Sequence, residues 1–492
     1  MIHTGTQSRH PPAERAKALL LLSLFALLVR GWTFGNPVLH VDDQFYVMVG
    51  ERMLHGDLPY VDIWDRKPLG LFLLYAAVAR VFPDPVIGYQ LVATACVAST
   101  GWAIWRLARR WAGFVAALAG GMAYIAWLPL FGGIGGQPPV FYNLLMVVAA
   151  GMTLRRFLRP DLEHLSLAGC GAMLLVGAAM QLKYSPVFEG VFLGLSLLWT
   201  GRRNGRTLPR LSLDALLWIA CALAPTAAAL AWYLALGQGQ AFINANFVSV
   251  LADSVDHWPA FQRLFWQMLS LLPFWLCAWV VLRRRARMQG EDAQAARWIL
   301  GWAGASLFGY LVFGNWFDHY VLPLLAPLSL VAALAFDRLK WRRTAMALVV
   351  GLGLAASIPR AVVDMRVSGS GAEVDRLSAL VRANLHGGCL YSTEDLTAVF
   401  TATHACLPSR YIFPDHLALG RYLHALGTDQ GEEMRKLLAN RPRVIVFMDD
   451  PESDYSPATR PQLLAALRDR YHVVGEASTG EKDFTVYALN AP

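Results

Sequence analysis

The chain has 492 residues, of which 56% are hydrophobic and only 16% charged, and its mean hydropathy is +0.39. Soluble domains carry about 25% charged residues, so most of this chain must sit in lipid, and the net charge of +8 is no sign of nucleic-acid binding. The basic residues fall in short clusters between apolar runs, as in the cytoplasmic loops of a polytopic protein. Seventeen Trp and sixteen Tyr suit a chain with two membrane–water interfaces. Six scattered cysteines exclude a disulfide scaffold or a zinc site.

The first apolar run, Ala16 to Phe34, follows Arg9, Arg15 and Lys17. Arg30, Trp32 and Phe34 stand where a signal peptide would carry its small-residue cleavage site, so the run reads as an uncleaved span with a cytoplasmic N-terminus. An acidic loop comes next, His40 to Pro68, inside a first outer loop of 35–85. It holds Asp42, Asp43, Glu51, Asp57, Asp62 and Asp65 and closes on Arg66-Lys67-Pro68. A connector needs only a few polar residues. Carboxylates followed by a cation beside a bilayer point to the working part of a membrane enzyme.

Leu69 to Phe82 is too short for a span of roughly 20 residues and ends at Pro83-Asp84-Pro85. The next run, Val86 to Trp105, ends in Arg106, Arg109 and Arg110. Those cations face the cytoplasm only if Leu69–Phe82 lies along the outer surface. Spans then alternate over 111–130, 139–154, 165–182, 185–200, 211–235, 264–282, 296–314, 319–336 and 344–360. Clusters at Arg155/Arg156/Arg159, Arg202/Arg203/Arg206/Arg210, Arg283/Arg284/Arg285/Arg287 and Arg338/Lys340/Arg342/Arg343 all fall inside. The opposite turns, around Gly132–Pro139, Gly237–Ala260 and Asn315–Asp318, hold no Lys or Arg.

The expectation is a polytopic α-helical membrane protein with about eleven transmembrane helices over residues 1–360. A small soluble α/β domain, 361–492, follows on the outer face. Gly371–Leu385 and Glu432–Asn440 have helical spacing, and Arg443–Met448, Tyr471–Glu476 and Asp483–Leu489 read as strands. Cys389 and Cys406 are the two cysteines of this tail and could pair in an oxidising compartment; spacing alone does not decide it.

Several residues carry two readings. Asp42 and Asp43 precede a stretch where Phe45, Val49 and Met53 recur at helical spacing, so an Asp here either caps an interfacial helix or serves as a general base. Lys67, before Pro68, either snorkels to the headgroups or holds a lipid-borne phosphate. Lys183 breaks the charge bias of an outer turn and invites the same two readings. Glu189, inside the following span, is a functional candidate by its depth or a partner of Lys183. In Phe317-Asp318-His319-Tyr320, Tyr320 suits an aromatic belt. Asp318 and His319 could join Asp42 around a divalent metal, although no ligand spacing supports one.

These residues resemble the GT-C class of polytopic glycosyltransferases that use lipid-linked sugars, near the branch of bacterial lipid A aminoarabinose transferases and protein O-mannosyltransferases. The carriers are Asp42-Asp43, Tyr46, Met53-Leu54, Gly56-Asp57 and Lys67-Pro68. Lys183 in Gln-Leu-Lys-Tyr, and His319-Tyr320 before a Pro-x-x-x-Pro, add to them. Two departures leave sugar and acceptor open. Family members often carry a Glu near the start of the fourth span, where this chain has Gln137-Pro-Pro-Val-Phe-Tyr-Asn143. The span count also suits the mannosyltransferases better.

The resemblance implies a donor with one sugar on a polyprenyl phosphate, transferred at the outer face of the cytoplasmic membrane to lipid A, another envelope glycan or protein. In that scheme Asp42 is the base and Asp43 its partner or an acceptor-positioning acid. Lys67, Lys183 and Tyr320 contact the donor phosphate, while Tyr46, Glu189 and His319 line the substrate site. One base and one direct displacement imply inversion. A transporter or flippase for lipid-linked glycans is the alternative; it would place charges and broken helices at the midplane, in repeated halves.

Overall fold

The computed structural model describes residues 11–249, 257–284, 287–394, 396–413, 415–420, 426–448 and 455–490. Arg9 and Arg285 of the expected basic clusters, and part of the turn over 237–260, lie outside the described residues. Nine helices open the chain. They are α1 (Pro12–Arg30), α2 (Val41–Leu54), α3 (Leu69–Val81), α4 (Pro85–Ala108), α5 (Phe114–Trp127), α6 (Pro138–Leu158), α7 (Leu165–Met180), α8 (Val187–Arg203) and α9 (Leu208–Ala235). Further long helices cover His257–Ser270, Leu272–Arg284, Gly290–Val312, Leu322–Asp337 and Arg342–Ser368.

Local chemistry sets several of these boundaries. Pro12, Pro85 and Pro138 stand in the first turn of α1, α4 and α6, where a missing N–H costs nothing. Asp84 caps α4 by accepting from the N–H of Val86 at 2.8 Å and of Ile87 at 3.1 Å. That cap separates the short α3 from α4, as the length of the Leu69–Phe82 run predicts.

Each of the eleven expected runs overlaps helix, although not every one of these helices is long and apolar enough to cross a membrane by itself. Among the described residues, six helices are long and apolar enough to cross a membrane, or seven if one bent pair counts as a span. The pair is His257–Ser270 and Leu272–Arg284, which meet at 58° where one run over 264–282 was expected. Pro273 explains the break, because its ring clashes with the preceding turn and it donates no hydrogen bond. Leu322–Asp337 is short for another reason. All but two of its residues, Pro323 and Asp337, are buried, so it fills the centre of the bundle and presents little to lipid. It packs tightly on α5: a Cβ at Gly120 would lie 2.7 Å from Ala333 Cβ, the close approach that small residues allow between helices.

Beyond Ser368 the chain builds a four-stranded sheet with order β1-β2-β4-β3. The strands are β1 (Leu390–Ser392), β2 (Val444–Phe447), β3 (Tyr471–Thr479) and β4 (Lys482–Leu489). β1 pairs parallel with β2, and the other pairs are antiparallel, with a bulge between Val473 and Gly475. The helix Gly371–Leu385 opens with a capping box between Ser370 and Glu373. Cys389 and Cys406 form a disulfide.

This C-terminal region sits on α2 and the acidic loop. The Ala398 N–H donates to Gln44 Oε1 at 3.2 Å, and the Trp64 N–H donates to the Arg410 carbonyl at 2.9 Å. Phe45 meets Phe413 edge-on with centroids 5.2 Å apart, and Trp64 meets His416 at 4.8 Å. The helix that carries the acidic pair is therefore held from both sides.

Candidate active site

α2 begins at Val41, and its cap is His40: the Asp42 N–H donates to His40 Nδ1 at 3.2 Å. The capping reading of the acidic pair thus gives way to a neighbour. Asp42 and Asp43 lie in the first turn, where the helix dipole favours carboxylates. Successive residues on a helix point about 100° apart, so the pair diverges.

Asp42 is nearly enclosed, at 8% exposure. Its Oδ2 accepts from Gln137 Nε2 at 3.1 Å, and His40 Nδ1 stands 4.0 Å away. Burial pushes this carboxyl up, but Lys67 foremost, together with the Gln137 amide, holds it below the usual carboxylate range. It is an anion at neutral pH. Asp43 turns inward, fully buried, and its Oδ2 accepts from the Gly136 N–H at 2.7 Å. Burial pushes it up to about 6, with His40 and the Gly136 N–H acting the other way. Its place is against the turn 133–136 and not on the face shared by Asp42 and the lysines.

The acidic loop brings its closing cation back to Asp42. Lys67 is anchored by its own backbone: its N–H donates to Asp65 Oδ1 at 2.7 Å, and its carbonyl accepts from Tyr60 Oη at 2.8 Å. Its ammonium lies 5.5 Å from the centre of the Tyr46 ring. Burial disfavours that charge, yet Asp42 and Asp65 keep it above its ordinary value. Tyr46 packs edge-on against Phe72 and Tyr75, and among the described residues its buried Oη meets no hydrogen-bond partner.

Lys183, from the turn between α7 and α8, stacks over Tyr320 at 3.9 Å from the ring centre. Burial first, then the Lys67 charge, bring it down to about 7. His319 meets His40 edge-on at 6.0 Å. Burial and Lys183 hold His319 well below its ordinary value, so it is neutral. Glu189 shares a narrow cavity with Lys183 and Tyr320, but its hydrogen bond comes from Trp302 Nε1 and not from Lys183.

The geometry therefore joins Asp42, Tyr46, Lys67, Lys183, His319 and Tyr320 in one cluster, sets Glu189 across its cavity, and puts Asp43 behind it. Asp318 does not join. It accepts from Gln267 Nε2 at 2.8 Å and pairs with Arg360 at 3.4 Å. Sequence reasoning passed over His40 and Gln137 as working residues. The only available signal was that His40 heads the acidic loop and that Gln137 replaces an expected acid.

His40, Asp42 and His319 bring three ligand-type atoms within 4.8 Å of one another, as a divalent cation would need. The donor set does not fit one. His40 Nδ1 already accepts from the Asp42 N–H at 3.2 Å and from Gln137 Nε2 at 2.9 Å. With both of those donors on it, the Nδ1 lone pair is already engaged and is not open to a metal. Lys67 is also the leading charge that lowers Asp42, so the carboxylate already has a cation acting on it.

No family model matches the chain, and no curated protein sequence does. Solved structures do. ArnT from Cupriavidus metallidurans bound to undecaprenyl phosphate superposes with a TM-score of 0.63 at 13% identity, over 96% of this chain and 97% of that one. The same enzyme in the apo state gives 0.59 at 14% identity, with the same coverage. An oligosaccharyltransferase from Archaeoglobus fulgidus, in complex with Zn and sulfate, gives 0.53 at 11% identity, over 88% of this chain and 68% of that one. Over nearly its whole length, the chain has the fold of these GT-C glycosyltransferases.

Proposed function

We propose that this protein is a membrane glycosyltransferase that moves one sugar from a polyprenyl-phosphate donor to an acceptor on the outer face of the cytoplasmic membrane. The acceptor is lipid A, another envelope glycan or a protein. One observation carries the reading: an ionised, nearly buried carboxylate, Asp42, faces two enclosed lysines, Lys67 and Lys183. Asp42 and Asp65 both offset Lys67, whereas Lys183 forms no ion pair among the described residues, and burial makes its charge costly. A phosphodiester between Lys67, Lys183 and Tyr320 would supply the missing charge. The fold neighbour bound to undecaprenyl phosphate supports a lipid-phosphate ligand.

In this scheme the acceptor O–H faces Asp42. Its oxygen forms a bond to the anomeric carbon as the bond from that carbon to the phosphate oxygen breaks. The proton passes to Asp42, and the phosphate leaves with a charge that Lys67 and Lys183 stabilise. Attack opposite the leaving group inverts the anomeric carbon. His319 and Tyr46 flank this path, and Glu189 lines the cavity behind Lys183. The C-terminal α/β region braces α2 from the outer side.

The test uses the full chain in liposomes with synthetic polyprenyl-phosphate sugars and extracted envelope lipids. The expected result is free polyprenyl phosphate together with an acceptor heavier by one glycosyl unit of inverted configuration. Passage of an intact donor across the bilayer, with the sugar–phosphate bond unbroken, would instead establish a transporter and overturn the reading.

A further inference from the structure

Gln137 is wholly buried at the start of α6, and its side chain touches two working residues at once. Its Nε2 donates to Asp42 Oδ2 at 3.1 Å and to His40 Nδ1 at 2.9 Å. The ring nitrogen also accepts from a backbone N–H, so it is an acceptor and the amide must be the donor. Among the described residues, the amide oxygen Oε1 is buried without a partner. An arrangement that leaves a polar atom unmet, when rotation of the amide could present it elsewhere, is held by something other than its own hydrogen bonds.

The turn preceding Gln137 shows what holds it. Arg30, at the end of α1 and fully buried, donates to Thr94 Oγ1 at 3.1 Å, to the Gly135 carbonyl at 2.7 Å and to the Gly133 carbonyl. Asp43 accepts from the Gly136 N–H at 2.7 Å, and Tyr75 Oη donates to the Gly136 carbonyl at 2.9 Å. The turn has no room to shift. A Cβ on Gly135 would lie 1.9 Å from Asp43 Oδ2, and one on Gly136 would lie 2.1 Å from Tyr75 Oη. Three side chains from three helices thus clamp one short backbone segment whose next residue is Gln137.

We propose that Gln137 is a positioning residue for the transfer reaction, locked by the Arg30–Asp43–Tyr75 clamp so that its amide fixes Asp42 Oδ2 and turns Oδ1 to the acceptor hydroxyl. The inference rests on Asp42 being the base. It gives the second acid a different task, because Asp43 then acts through the turn and Gln137, not on the substrate. It also gives a reason for an amide at this place. A carboxylate would repel Asp42 and release it to rotate, whereas an amide donor ties one oxygen and leaves the other free.

The test compares Gln137→Met, which keeps the length but removes the donor, with Gln137→Glu, in membrane-inserted protein. Both should lower kcat by about 10- to 100-fold, the cost of a misplaced reacting group, while donor KM and donor binding stay within twofold. Gly135→Ala should disturb the same clamp, and combined with Gln137→Met it should lose no more than the worse single variant, because both act through one element. The side-chain 13C resonance of the Asp42 carboxyl, assigned by its loss in Asp42→Asn, should shift in Gln137→Met. A kcat within twofold of wild type, a loss confined to donor KM, or multiplying losses would overturn the proposal. If the wild type itself transfers no sugar, the functional reading fails. This inference then falls with it, whereas with an active wild type an unmoved Asp42 resonance refutes the positioning alone.

Discussion

Replacing Asp42 by Asn separates a base from every structural role this residue could play. The helix start does not depend on the carboxylate, since His40 supplies the cap. Asn keeps the size of the side chain and an oxygen that can accept from Gln137 Nε2. It loses only the lone pair basic enough to take a proton. Loss of general-base catalysis costs on the order of 10²–10⁴-fold in kcat, or about 2.7–5.4 kcal/mol in the barrier at 1.36 kcal/mol per tenfold. Donor binding should survive, because the lysines are untouched and a competing anion has left their side. Folding favours the ionised carboxyl, whose pKa lies below the usual range, so the variant also forfeits some stability. Turnover is therefore compared at equal amounts of inserted protein, in liposomes, with a chromatographic readout of released polyprenyl phosphate. Turnover by Asp42→Asn within about threefold of wild type would refute the assignment, since no general base is removed at so small a cost.

Lys67→Ala and Lys183→Ala should each weaken donor binding at least tenfold, the order expected for a charge-assisted phosphate contact; undiminished binding to the double variant would sink the phosphate site. Donor affinity should also depend on pH through Lys183, which stands at about 7 in the free protein. The bound phosphodiester favours the charged amine, so above pH 7 binding must take up a proton and affinity should fall by up to about tenfold per pH unit. Below pH 7 the amine is already charged and affinity should level off. A flat profile between pH 6 and 9 by calorimetry would contradict this. Because the ligand set around Asp42 suits its own donors, turnover should survive dialysis against a chelator; loss of activity restored by one divalent metal would show the opposite. Reporter fusions at Gly205 and Gly371 should report opposite sides of the membrane, and the same side for both would overturn the expected orientation.

The sequence made some of this site legible because it lies in one stretch. Asp42, Tyr46 and Lys67 belong to a single loop whose charge density has no structural excuse beside a bilayer, and their conjunction in space follows from the loop folding back through Tyr60 and Asp65. Lys183 stood out as a cation on the wrong side of a charge pattern, and it does lie by the same cluster. What sequence could not supply was the identity of partners far apart in the chain. Arg30 reads as an ordinary basic flank to a span, yet it is buried and bound to a turn more than a hundred residues away. Periodicity is blind to bends, so the run over 264–282 concealed a 58° break. Adjacency misleads as well. Asp318 and His319 are neighbours in a single 3-10 turn, but the carboxylate goes to Gln267 and Arg360 while the imidazole goes to His40. Gln137 is the instructive case. Its departure from an expected acid was visible as a difference, but whether that difference changes the substrate or the mechanics depends on where the amide hydrogens point. They point at Asp42 and His40. Under the proposed mechanism, the amide at this position bears first on how Asp42 is held, and only through it on what is transferred.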